Sequence, residues 1–186
     1  MSIKEVNMDI DSRLSKLVFL AITLIATPIH EFGHFIGFEL SGISAKFVFS
    51  YTEPKNGLEN LWGCLGGPAI NLILAVIGCI IVYIFRNREK VYIGMYFAIT
   101  MCLTRLIAYL LFIIINPYNM FPINDEGLIA KFLNVPIWQV YGFFIAAFIF
   151  LLLILRSIKK DYFYKCFKYA FAFYFFIDIL FAIRIY

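Results

Sequence analysis

Five stretches of this sequence are apolar over lengths that suit a bilayer span, and they limit what the chain can fold into. They run at 17–40, 61–85, 91–115, 137–155 and 169–185. A hydrocarbon core about 30 Å thick takes roughly 20 residues of α-helix, and inside it every backbone polar group must find its partner within the protein. Composition agrees with this. Hydrophobic residues fill 63% of the 186 positions and charged residues only 15%, where a soluble domain carries about 45–50% and ~25%. The reading is an all-α polytopic membrane protein with about five transmembrane helices. A polar tail or interfacial helix is expected over 1–16, a three-helix core over 17–134 and two C-terminal transmembrane helices over 135–186.

The first apolar stretch carries His30-Glu31-Phe32-Gly33-His34, an H-E-x-x-H pattern. On a helix, positions four apart share a face, so two imidazoles can grip one metal ion with the glutamate beside it as a base. Apart from these three residues, 17–38 is almost wholly apolar. Ionisable side chains at membrane depth are expensive and usually functional. Two structural histidines would leave Glu31 unexplained. His30 and His34 are therefore candidate metal ligands and Glu31 a candidate general base. Pro28, two residues earlier, removes a backbone donor and can kink the helix open.

Residues 42–58 do not read as a span. Ser44 to Tyr51 (SAKFVFSY) alternates in part and is rich in β-formers, and Asn56-Gly57 is a turn signal. A short membrane-associated β-strand or hairpin is expected there, beside the metal site, with an edge on which an extended peptide can lie. The second span opens with Gly66-Gly67-Pro68 and carries Asn71, a lone amide at depth. Glycines allow close helix approach, and Pro68 suits the start of the regular helix. Arg105 sits in the middle of the third span, too deep to snorkel to water, and Asp178 in the last span is its expected partner. Residues 116–127 (NPYNMFPINDEG) are too rich in Pro, Asn and Gly for regular helix. At membrane depth such backbone belongs beside a protein-lined cavity.

The net charge of +4 is local rather than spread as a stripe, which argues against nucleic acid and for loops at an anionic lipid surface. Eleven of the basic residues fall in the tail, the 86–90 loop and the 156–168 segment. Lys46, Lys55, Lys131 and Arg184 fall on the opposite side. The positive-inside rule then gives a cytoplasmic amino terminus and sets the histidines nearer the outer face. Cys64, Cys79, Cys102 and Cys166 form no CxxC pair and read as small buried hydrophobes.

With these landmarks in view, the chain resembles the site-2 protease family of intramembrane zinc metalloproteases. HEFGH matches the family's HExGH. Gly66-Gly67-Pro68-Ala69-Ile70-Asn71 matches its small-residue, G-P-x-x-N helix start. Asn119-Met120-Phe121-Pro122 matches the N-x-x-P stretch before its aspartate-glycine motif. The likeness covers roughly 15–130. It implies one Zn2+ per chain held by His30, His34 and the aspartate of the third motif, with Glu31 as base. It also implies that Asn71, with Gly67 and Pro68, supports substrate or the active site. This chain reads Asp125-Glu126-Gly127 where the family places aspartate directly before glycine. Asp125 is the expected third ligand and Glu126 its rival. The family's sites usually open to the cytosol, whereas the charge distribution here points outward.

The expected activity is that of a zinc-dependent endopeptidase hydrolysing peptide bonds of transmembrane or membrane-associated protein substrates. One alternative is a catalytically inactive, protease-like membrane scaffold that binds membrane proteins. Another is a membrane metal-binding or transport protein, which would call for more ligand residues than a chain with two histidines offers.

Overall fold

A computed structural model describes residues 9–115 and 124–185, the stretch 178–185 as backbone only. Among the described residues, six α-helices and one β-hairpin follow in the order α1 (Arg13–Leu40), β1 (Ala45–Val48), β2 (Tyr51–Pro54), α2 (Leu61–Ile84), α3 (Val91–Ile115), α4 (Asp125–Leu133), α5 (Ile137–Ile158) and α6 (Lys160–Ile185). Among the described residues, four helices are long and apolar enough to cross a membrane, namely α1, α2, α3 and α5, rather than about five. The fifth expected span falls in α6. That helix starts well before 169 and carries Lys160, Asp161, Lys165 and Lys168 in its first part, charges that lower its apolar character.

The central element is α3. It packs against α1, α2, α5 and α6, and Tyr92, Met95, Tyr96, Ile99, Met101 and Cys102 on it are buried. Its tyrosines reach α1 through hydroxyl contacts that satisfy polar groups inside an apolar bundle: Ser15 to Tyr92 at 3.0 Å and Thr23 to Tyr96 at 2.7 Å. Phe19 stacks on Tyr96 with ring centroids 3.9 Å apart. The outer faces of α2 and α5 instead leave Ile73, Ile80, Ile84, Phe143, Phe150 and Leu153 exposed. A continuous apolar exterior of this kind fits lipid rather than water.

α1 and α2 cross in backbone contact. A Cβ on Gly33 would lie 2.4 Å from the Gly66 carbonyl oxygen, and one on Gly66 would lie 2.1 Å from the Gly33 oxygen. Only glycine lets two helices approach this closely. Pro68 does not begin α2, as its sequence setting suggested, but lies inside it, with Asn60 as the N-cap accepting from the Gly63 amide at 2.7 Å. α1 likewise runs through Pro28.

The hairpin follows α1, with Ala45 opposite Pro54 and Val48 opposite Tyr51. Its two-residue loop is Phe49-Ser50, and Asn56-Gly57 lies beyond β2 in a short 3₁₀ turn with Gly57 at φ +65°. The strong turn signal therefore ends the hairpin segment instead of forming its tip. At the opposite end of the bundle, Lys165 bonds Asp11 at 2.8 Å and Lys159 bonds the Arg86 carbonyl at 3.2 Å. The tail, the 86–90 loop and the α5–α6 junction thus gather together. The hydrogen bond from Lys165, joined by one from Tyr169, holds the Asp11 carboxyl below the ordinary carboxylate range. All four cysteines are free and buried.

Candidate metal centre

His30 and His34 lie one turn apart on the face of α1 turned toward α2 and α4, and both are buried. Asp125 reaches them from the first turn of α4. That helix is short but well terminated. The Asn124 side chain caps it, accepting from the Gly127 amide, and is itself held by the Tyr141 hydroxyl at 2.7 Å. Asn134 closes the other end in a left-handed conformation at φ 54°. Two carboxylates in the first turn sit favourably at the positive end of the helix dipole.

One ligand-type atom from each of His30, His34 and Asp125 lies within 4.8 Å of the others. His30 Nε2 is 3.1 Å from His34 Nε2, and Asp125 Oδ2 is 3.2 Å from the first and 3.4 Å from the second. Three ligands at about 2.0–2.2 Å on a tetrahedral ion stand about 3.3–3.5 Å apart, so the triangle has nearly the size that zinc requires. The donor set fits as well. His34 Nδ1 donates to the Gly63 carbonyl at 2.8 Å, which fixes the tautomer and leaves Nε2 with its lone pair toward the cluster. His30 Nδ1 is buried without a hydrogen-bond partner among the described residues. The three residues thus form a buried cluster suited to a metal ion within a bundle of membrane helices.

Gly67 makes room for this cluster. A Cβ there would lie 2.3 Å from His34 Nε2 and 2.6 Å from His30 Cε1. Backbone of α2 walls the site on that side, so any side chain would push both imidazoles away. Gly67→Ala is expected to weaken metal retention by about 10–100-fold, the range found when groups that orient metal ligands are disturbed. Equilibrium dialysis against zinc, with wild-type retention as the contrary result, checks this.

Glu31 adjoins His30 and lines a cavity of about 230 Å³ together with His34, Asp125, Tyr51, Thr52 and Cys64. The hairpin closes one side of that cavity, tied down where Thr52 Oγ1 donates to the Glu31 carbonyl at 2.7 Å. Asn71 follows Gly67 by one helical turn, is fully buried and has neither amide atom partnered among the described residues. Pro68 is buried beside Gly67. A larger groove of about 610 Å³ between α1 and α2 is lined by Gly, Ala, Ser, Leu, Ile and Trp side chains and holds no titratable group.

Glu126 turns away from the histidines. Its carboxylate is fully buried, takes Arg105 Nε at 3.1 Å and Nη2 at 2.5 Å, and accepts from the Tyr109 hydroxyl at 2.5 Å. Arg105 Nη1 also stands 3.2 Å from Asp125 Oδ2. Sequence reading paired Arg105 with Asp178, whose side chain lies outside the described residues. Nothing in a linear pattern tells which carboxylate folds back onto a mid-span arginine. Asn119–Pro122 also falls outside the described residues. No family model, curated protein or solved structure matches the chain.

Proposed function

We propose that this protein is an intramembrane zinc metalloprotease of the site-2 protease type, cleaving transmembrane or membrane-associated proteins. The observation that carries the reading is the His30–His34–Asp125 triangle, with Glu31 lining a cavity beside His34 and Asp125. In this assignment His30, His34 and Asp125 hold the ion, and Glu126 is a neighbour that serves Arg105. Zinc held there would supply Lewis acidity toward a carbonyl and make water more acidic. The Glu31 carboxylate takes the proton from the attacking water and hands it to the leaving amide nitrogen. Asn71, one turn below Gly67, offers an unpaired amide donor and acceptor to the substrate backbone or to ordered water.

A peptide bond within a helix is shielded and already hydrogen-bonded, so the substrate must be extended to be cut. The hairpin provides for this. Among the described residues β2 pairs with β1 alone, and Tyr51, Thr52 and Pro54 from it line the cavity beside Glu31. An extended segment added along this edge presents its carbonyls to the site through main-chain bonds, without regard to sequence. Buried protein walls keep lipid from the water the reaction consumes.

Glu31→Gln separates this reading from that of an inert scaffold. The variant is expected to keep zinc at the wild-type level and to lose hydrolysis of a transmembrane peptide panel by about 100-fold or more, within the range for removing a general base. Wild-type cleavage by Glu31→Gln, measured in liposomes, sinks the hydrolytic mechanism. For orientation, the basic end of the bundle is assigned to the cytoplasm. The native cysteines are buried, so a single cysteine at Asn87 labels cleanly. Labelling of that position from outside intact cells reverses the assignment.

A further inference from the structure

Arg105 lies mid-way along α3 and is almost fully buried. Its charge is already balanced. Glu126 takes Nε and Nη2 in a two-pronged contact, the Tyr109 hydroxyl holds the same carboxylate, and the Tyr109 ring lies 5.3 Å from the guanidinium carbon. A buried ion pair of this kind gains little stability over apolar side chains of similar volume. What it does achieve is to fix the guanidinium plane with one nitrogen to spare.

That spare nitrogen, Nη1, points into the metal centre. It is 3.2 Å from Asp125 Oδ2 and 3.2 Å from His30 Nε2, on the edge joining two of the three ligand atoms. Nη1 carries two hydrogens. One has Asp125 as its acceptor whether or not metal is bound, because a carboxylate oxygen keeps further lone pairs. Among the described residues, the other has only the single lone pair of His30 Nε2, the same pair a metal ion would take. An ion that took this lone pair would free one charged N–H beside Asp125, and Asp125 lines the cavity of about 230 Å³ that also holds Glu31.

We propose that Arg105 is a catalytic residue that binds the carbonyl oxygen of the peptide bond under attack, donating from Nη1 as negative charge grows on that oxygen. This rests on the metalloprotease reading and deepens it. Glu126 and Tyr109 are its positioning residues. A donor fixed in advance toward developing charge, in a site shielded from water, is the arrangement from which one hydrogen bond contributes most. Lysine cannot replace it, since one ammonium cannot grip Glu126 in a fork and still reach the site.

The test uses the full-length zinc-loaded protein in detergent and an N-phosphoryl-Leu-Phe peptide, whose tetrahedral phosphoryl group carries anionic oxygens. The Arg105→Gln/Glu126→Gln pair keeps hydrogen-bonding groups around Tyr109 and leaves no lone buried charge. It is expected to hold one zinc per chain, bind the phosphoryl peptide about 100-fold more weakly and lose kcat by a similar factor with KM little changed. Arg105→Lys, which retains the charge, should show the same loss and serves if the pair does not fold. Unchanged phosphoryl-peptide affinity in a zinc-loaded variant overturns the proposal. So does a variant that cannot be loaded with zinc, for then Arg105 only props Asp125. A wild-type protein that holds zinc and cleaves but ignores the phosphoryl peptide overturns this inference alone. A wild-type protein that neither holds zinc nor cleaves removes the metalloprotease reading itself.

Discussion

Asp125→Asn is expected to strip zinc from the protein and to end hydrolysis with it, while Glu126→Gln keeps the zinc and lowers hydrolysis only in part. The two carboxylates are neighbours in sequence, yet they face different partners. Asp125 Oδ2 stands 3.2 and 3.4 Å from the two imidazoles, whereas Glu126 is enclosed by Arg105 and Tyr109. An amide at 125 replaces an anionic ligand with a weak neutral one. It also removes the charge that offsets the ion, so metal affinity should fall by more than the ~100-fold that bounds outer-contact changes. Glu126→Gln reaches the site only through Arg105, so zinc should stay while hydrolysis falls by about 10–100-fold or less. Zinc per chain by elemental analysis after chelator-free purification, alongside peptide hydrolysis, measures both. If Asp125→Asn retains full zinc and Glu126→Gln releases it, the ligand lies one residue further along.

The pair Asp125-Glu126 also shows how far a linear pattern reaches. HEFGH declares its own geometry, since four residues on a helix fix two side chains on one face. The span limits were equally legible, with α2 and α3 falling within a residue of the apolar runs at 61–85 and 91–115. Three things were not. The hairpin tip uses Phe49-Ser50, with neither residue at positive φ, so it carries no glycine or asparagine to announce it. α6 begins at Lys160 because its charged first part lies at the basic end of the bundle, where Lys165 meets Asp11, and an apolar scan starts too late to see it. Arg105 needs a partner from elsewhere in the chain, for which the spans alone offered Asp178, and only the fold brings the first turn of α4 within reach of its guanidinium. What spacing along one helix determines can be read directly. What depends on which helices meet cannot. The one sign of Gly67's role was the run of small residues, and its contact with both imidazoles appears only when α1 and α2 are crossed.

The second large effect is expected in stability. Arg105→Met alone leaves Glu126 charged and fully enclosed, and Glu126→Leu alone leaves the guanidinium with Asp125 as its only carboxylate among the described residues. Each should cost about 3–5 kcal/mol, the usual penalty for breaking a buried ion pair from one side. The double variant removes both charges together and fills the space with apolar groups of similar size. Its loss should be well below the sum of the singles, and the difference is the coupling between the two side chains. Tyr109 sets a floor to the recovery, because its hydroxyl donates to Glu126 and loses that acceptor in the double variant. Unfolding free energies of the four proteins in one detergent, read by denaturant titration, complete the cycle. Additive losses would sever the pair. A parallel cycle of Arg105→Met with Asp178→Leu then decides the matter: coupling there and none with Glu126 would return Arg105 to the partner that the apolar spans first suggested.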